Sequence, residues 1–229
     1  RLARYEEKVF DIFDNKTIIS IPDRNLIPHP EKEKIWVIPN GVDWEYFSPV
    51  IKEKSYELIF IGNMAYPPNI DAAEFLAKEI MPIVWKKNPE AKLLLAGASP
   101  HFRVSSLASD KIKVSGWLDD IRDAYGSGKI FIAPMRIGTG LQNKLLEAMA
   151  MQIPCITTPL ANDALQAEEG TQILMGSSAE ELAECVLKLL EDKELYSKLA
   201  VNGQQLVKKQ FSWEEYTEQL HQIINGLES

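Results

Sequence analysis

Short apolar runs, many of them β-branched, recur along the chain at residues 16–21, 35–38, 58–61, 92–96, 111–114, 130–133, 155–157 and 172–175. Each has the length of a strand, and several end in Gly or Pro. Runs that are apolar at nearly every position predict strands buried on both faces, which means a parallel sheet covered by helices. Amphipathic stretches of helical period lie between them, with recognisable starts. Asp71 with Glu74 reads as a capping box opening a helix over 72–85. Ser178 with Glu181 does the same for 182–190, and Ser212 with Glu215 for 213–225. The pattern predicts an α/β fold, a doubly wound parallel sheet, over residues 57–208.

The two ends fit that unit less well. Residues 2–13 read as a helix, and two strands follow with Pro22, Pro28, Pro30 and Pro39 around them, but no complete βαβ period is expected there. At the other end, Gln210-Phe211-Ser212 makes a hinge-like break before the last helix. There is no internal repeat or low-complexity segment. The sequence opens on Arg1 rather than Met, which reads as a fragment, a processed product or a trimmed chain. Both ends look like pieces that pack against something else.

Composition narrows the function classes. Hydrophobic residues at 45% and charged residues at 25% exclude disorder, collagen-like repeats and a disulfide scaffold. With 25 Lys+Arg against 33 Asp+Glu the net charge is -8, which argues against nucleic acid as a partner. Cys155 and Cys185 both sit in apolar surroundings and read as small buried residues in a reducing, cytoplasmic compartment. No apolar run reaches the ~18 residues of a membrane span.

In a doubly wound sheet, ligands bind beyond the C-terminal ends of the strands, where amides and helix starts point outward. Three loops there carry candidate chemistry. The first runs from Ala133 to Ala150, where a strand enters Gly138-Thr139-Gly140-Leu141 and a helix follows. The glycines permit positive φ and close approach of a ligand, and the helix start favours an anion such as a diphosphate. Arg136 before the turn and Lys144 one turn into the helix place cations where that anion would lie, beside Asn143. Glu147, two turns in, is placed to accept hydroxyl hydrogen bonds from a sugar or ribose. A Gly-x-Gly pair also makes any tight turn; it is the order of strand, glycines, cations and carboxylate that favours a site.

The second loop follows residues 58–61. Gly62 allows close approach and Asn63 offers an amide to phosphate or sugar, while Tyr66 serves either a ligand or a stiff Tyr66-Pro67-Pro68 lid. The third is Ser115-Gly116-Trp117-Leu118, where main-chain groups and Trp117 could hold a flat base. Asp119 and Asp120 read as helix caps. His29, His101 and His221 are scattered, show no metal-ligand spacing, and read as surface residues. Gly138-x-Gly140-x-x-Asn143 lacks the third glycine of a dinucleotide fingerprint and the carboxylate ~20 residues on. No Ser/His/Asp or Cys/His set is evident, and Lys86-Lys87 and Lys208-Lys209 read as solvated helix ends. Trp36, Trp44 and Phe47 either line a cleft or form a small core.

Together these segments resemble a known family. Val37-Ile38-Pro39-Asn40-Gly41-Val42-Asp43, Phe60-Ile61-Gly62, Leu95-Ala96-Gly97, Val114-Ser115-Gly116-Trp117, Gly138-Thr139-Gly140, Leu146-Glu147-Ala148-Met149-Ala150 and Phe211-Ser212-Trp213 follow one another in order. They are similar to the C-terminal half of retaining glycosyltransferases with the GT-B fold, family 4 above all. The resemblance implies a Rossmann-like nucleotide-sugar donor domain over 51–210. Residues 1–50 would then be the end of an N-terminal acceptor domain plus linker, and 211–229 a helix crossing back to that domain. It also implies hexosyl transfer from a nucleoside diphosphate sugar with retention, in polysaccharide biosynthesis, with no obligatory metal or cofactor. Partners would be the donor and the acceptor domain, with peripheral contact at the inner membrane face through that domain. The fragment alone is expected to be inactive, and no catalytic residue is assigned.

Two departures stand out. In the family's Glu-x7-Glu motif the second Glu falls on Glu147, as a ribose ligand, but the first falls on Thr139. The pyrophosphate-binding Arg and Lys of the Gly62 loop are replaced by Asn63 and Pro68, so Arg136 and Lys144 are expected to supply the charge. A GT-B epimerase and a catalytically inactive nucleotide-binding or scaffold module are the alternatives.

Overall fold

The computed structural model describes residues 2–138 and 140–226. Six strands form one parallel sheet: β3 (Tyr56–Ile61), β4 (Leu93–Ala96), β5 (Ile112–Val114), β6 (Gly128–Ala133), β7 (Cys155–Thr157) and β8 (Leu174–Met175). Their spatial order is β5-β4-β3-β6-β7-β8, every pair parallel, as in Leu58 beside Leu93 and Ile59 beside Phe131. Counted within the sheet this is the 3-2-1-4-5-6 order of a doubly wound dinucleotide-type fold. The expected α/β architecture is therefore what the chain adopts. Leu58, Ile59, Phe60, Ile130, Phe131 and Ile132 are wholly buried, the physical reason these strands read as unbroken apolar runs.

Helices cover both faces. The first crossover is α3 (Pro67–Phe75) continuing through a π turn at Leu76–Ile80 into α4 (Met81–Lys87). The wider turn lets the helix pass Pro82, whose ring cannot donate to the preceding turn. This corrects the expected start of that helix. It begins at Pro67, with Tyr66 as the capping residue and no side-chain cap bond, and Asp71 and Glu74 lie inside it. Two prolines with φ already set for a helix replace the capping box. The other crossover helices are α5 (Phe102–Ser105), α6 (Arg122–Ser127), α7 (Asn143–Ala150) and α8 (Pro159–Asn162). After β8 come α9 (Ala179–Glu191) and α10 (Lys193–Gln210). At α9 the expected capping holds: Ser178 accepts from the Glu181 amide.

Ahead of the sheet lie α1 (Leu2–Phe10), β1 (Thr17–Ile18), α2 (Ile21–Leu26) and β2 (Trp36–Val37). Here β1 and β2 pair in parallel across α2, so a miniature βαβ unit stands where none was expected. The run over 16–21 is cut short because Ser20 caps α2, its hydroxyl accepting from the Asp23 amide. His29 is not a loose surface residue, since its ring stacks on Phe10 at 3.7 Å. Trp44 and Phe47 pack against the main core rather than forming one of their own, and Trp36 stays at the surface. The last helix, α11 (Trp213–Ile224), is capped by Ser212 as expected. The break before it is stitched to the segment after β2: the Val42 amide donates to Phe211 O at 3.0 Å. Gly41 packs so closely on Trp213 that a β-carbon would stand 2.6 Å from its amide nitrogen.

Candidate donor-binding crevice

Strand order reverses between β3 and β6, so the loops leaving these two strands open a crevice above their C-terminal ends. The β6 loop carries Gly138 and Gly140, with φ of 93° and 92°, a region that side-chain-bearing residues rarely occupy. The β3 loop carries Gly62 and Asn63. The two segments meet where a β-carbon at Gly138 would lie 3.8 Å from the Pro68 ring, and within the β3 side a β-carbon at Gly62 would lie 2.7 Å from the Asn69 amide nitrogen.

Lys144 and Glu147 occupy successive turns of α7 and both are largely buried. The Lys144 ammonium donates to Asn69 Oδ1, lies 5.0 Å from the Phe60 ring centre and is 3.9 Å from Met135 Sδ. Burial pulls its pKa down from 10.5 to about 8, with the Glu147 charge opposing the change. Glu147 is pushed the other way by its own burial, opposed by a hydrogen bond from the Tyr125 hydroxyl at 2.6 Å and by Lys144. Tyr125 is completely buried and fixes one carboxylate oxygen, leaving the other as an acceptor. At the head of α7, Gln142 supplies no side-chain cap, so the first turn keeps its positive end for an anion.

Other expected site residues are placed differently. Arg136 is turned onto α3, where it donates to Asp71 at 2.8 and 3.0 Å, reaches Glu79 at 3.5 Å, and covers the Phe75 ring. Asn63 uses its side chain within its own loop, accepting from the Ala65 amide at 3.0 Å. Asn143 is exposed and accepts from Asn40, which follows β2, at 3.3 Å. Leu141 is buried and anchors the glycine loop. Trp117 is 75% exposed beyond β5, on a turn where Gly116 has φ 71°, and Leu118 packs against the core. Asp120 accepts from the Arg122 amide, and its hydrogen bonds from Arg122 hold its carboxyl at about 2. Thr139 lies outside the described residues.

The crevice thus gathers Gly62, Gly138, Gly140, Lys144 and Glu147, with Trp117 farther along the same edge. Sequence reasoning missed Asn69 and Tyr125, which hold the Lys144 amine and the Glu147 carboxylate. Neither carries a local signal, because each matters only through a partner remote in sequence. Among the described residues no group of three or more His, Cys, Asp or Glu stands together to hold a metal ion.

The family model for glycosyl transferases group 1 matches residues 55–192, more than half of the chain. The chain belongs to that family. Among curated relatives, a GDP-mannose-dependent monoacylated alpha-(1-6)-phosphatidylinositol monomannoside mannosyltransferase of Corynebacterium glutamicum is 28% identical over 221 residues. The match covers 86% of this chain and 57% of that protein. A UDP-Gal:alpha-D-GlcNAc-diphosphoundecaprenol alpha-1,3-galactosyltransferase of Escherichia coli is 23% identical, covering 71% of this chain and 46% of that one. The chain therefore spans about half the length of these relatives.

Among solved structures, Anabaena Alr3699/HepE in complex with UDP and glucose superposes with a TM-score of 0.82 at 14% identity, covering 97% of this chain and 66% of that one. The sucrose-phosphate synthase of Thermosynechococcus elongatus gives 0.80 at 19% identity, covering 98% and 61%. The group 1 chain thus has the architecture of a C-terminal GT-B glycosyltransferase domain. Neither the epimerase nor the scaffold alternative is favoured by these relatives. No helix among the described residues is long and apolar enough to cross a membrane.

Proposed function

We propose that this chain is the donor-binding part of a glycosyltransferase and holds a nucleoside diphosphate sugar in the crevice between the β3 and β6 loops. The observation that carries the reading is the pairing of Lys144 and Glu147 on one face of α7, beside glycines at positive φ, at the sheet's switch point. In this reading the diphosphate lies at the start of α7 against the Gly138–Gly140 loop, with Lys144 as its cation. Glu147, steadied by Tyr125, accepts the ribose hydroxyls. Asn63, Leu141 and Asn143 shape the loops around the phosphates, and the Gly116-Trp117-Leu118 turn receives the base. Arg136 joins only by leaving Asp71 and Glu79.

Cleavage of the glycosyl bond leaves growing negative charge on the diphosphate. A helix start and an ammonium fixed in advance stabilise that charge without reorganising. Retention of anomeric configuration, independence from metal, and contact of an upstream acceptor domain with the inner membrane face extend the proposal. So does the division into 1–50, 51–210 and 211–229. That the similar Anabaena protein was solved with UDP supports a nucleoside diphosphate as the class of ligand.

Titration of the chain with UDP, GDP and ADP tests this. One of them is expected to bind, raising stability by about 2.7 kcal/mol at a hundred times its Kd. Lys144→Ala and Glu147→Ala should each weaken that binding at least tenfold. Binding that survives both substitutions would refute the assignment.

A further inference from the structure

The glycine loop is already in contact with an anionic group of the chain itself. Asp23, in the first turn of α2, brings its carboxylate from the segment ahead of the sheet onto Gly140. A β-carbon at Gly140 would stand 2.8 Å from Asp23 Oδ2, and the nearest atoms it would meet are all in that carboxylate. The carboxylate is aimed rather than loose. The Ser20 hydroxyl donates to Asp23 Oδ2 at 2.6 Å while its oxygen accepts from the Asp23 amide, a reciprocal arrangement at the head of α2.

Three further observations bear on what this contact does. Arg136, the cation of the same loop, is neutralised on Asp71 and Glu79. The segment after β2 adds a second grip, with Asn40 donating to Asn143 at the start of α7. Yet α2 is lightly seated: it has no buried residue, and a cavity of about 340 Å³ separates Ser20, Ile21 and Asn25 from Asp163 and Gln166.

We propose that Asp23 is an intramolecular competitor for the diphosphate site, a carboxylate latch that must leave Gly140 before an anionic ligand settles on the loop. The inference rests on the donor reading above. A diphosphate arriving at Gly138–Gly140 meets a like charge within a few ångströms, partly shielded from water, where repulsion is stronger than in bulk solvent. Because α2 is weakly packed, binding displaces it rather than being abolished. Donor loading is thereby coupled to movement of the segment ahead of the sheet.

The test is titration of UDP, GDP and inorganic pyrophosphate into the wild-type chain, Asp23→Asn and Ser20→Ala at low and high salt. Asn keeps the size of the side chain and an acceptor for Ser20. Asp23→Asn is expected to bind pyrophosphate and the preferred nucleotide at least about fivefold more tightly at low salt, the gain shrinking as salt screens the charge. Ser20→Ala, which removes one hydrogen bond that aims the carboxylate, should move the same way by less, and it carries the test if Asp23→Asn does not fold. Wild-type binding that is unchanged or weakened by these substitutions, or a gain that ignores salt, would overturn the latch and leave the donor reading standing. No binding of any probe to any variant would overturn both.

Discussion

Replacing Lys144 with Met separates the stability of the crevice from its function. The amine is held charged in a site that pulls its pKa from 10.5 to about 8. At about 1.4 kcal/mol per pH decade, the folded chain carries a penalty of about 3 kcal/mol for keeping it protonated at neutral pH. Methionine has nearly the same length, and it retains contact with the Phe60 ring and Met135. It also removes the donor to Asn69 Oδ1, and an orphaned buried amide oxygen costs about 1–3 kcal/mol. The variant should therefore fall between unchanged and about 2 kcal/mol more stable than wild type at pH 7. For a chain of this size that is a rise in Tm of at most about 8 °C.

The pH dependence follows from the same shift. Above about 8 the folded chain releases this proton while the unfolded chain keeps it up to 10.5, so wild-type stability gains over that window. The difference from the Met variant should shift in favour of wild type between those pH values. Denaturant melts at pH 7 and at the alkaline end, with titration of the preferred nucleoside diphosphate, measure both sides. Diphosphate affinity is expected to drop at least tenfold, about 1.4 kcal/mol, while the fold gains or holds. A variant more than about 1 kcal/mol less stable at pH 7, or one that binds diphosphate as well as wild type, would refute this account of Lys144.

Glu147→Gln keeps an acceptor for Tyr125 and removes a buried charge whose pKa burial has raised. Its stability relative to wild type should be lowest in acid, where the wild-type carboxyl is already neutral, and rise toward neutral pH; melts at both ends check the sign. Nucleotide affinity should fall in the same variant. Tyr125→Phe strips the donor from Glu147 and should cost about 1–3 kcal/mol in denaturant melts, with less of that cost in acid. Gly97→Ala should prevent stable folding, because its β-carbon would stand 1.8 Å from Gly62 O at φ 139°. Gly116→Ala, at φ 71° with open space around it, should cost only about 1 kcal/mol, and the contrast shows in soluble yield and denaturant midpoint.

The parts of the fold that could be read in advance are those where one physical rule acts alone. Residues 155–157 form a strand as expected because Cys155, Ile156 and Thr157 are buried on both faces, and no competing local signal exists. The start of α3 differs because Asp71 and Glu74 have capping-box spacing but are engaged elsewhere, Asp71 by Arg136 and Glu74 by Arg103 across the fold and by Lys78 one turn on. Two signals competed there, and the Pro67-Pro68 pair won. The miniature unit of β1, α2 and β2 was missed for a different reason. Its strands are only two residues long, below the length at which periodicity carries information.

For the crevice, the residues legible in the sequence were those whose role follows from position on an element, and helix α7 shows why. Leu145, Leu146, Ala148, Met149 and Ala150 are all buried, with α7 enclosed between the sheet and α10. A helix so enclosed would be most stable with apolar residues at its remaining inner positions as well. Lys144 and Glu147 stand there instead, three apart and hence on one face, both with pKa values moved toward their neutral forms. Their mutual attraction opposes those shifts without cancelling them, so neither is explained as a device for stability. A ligand that is anionic at one end and rich in hydroxyls beside it would satisfy both groups at once. Asn69 and Tyr125 hold them ready in its absence, which is why the two supports had to be found in three dimensions while the two charges did not.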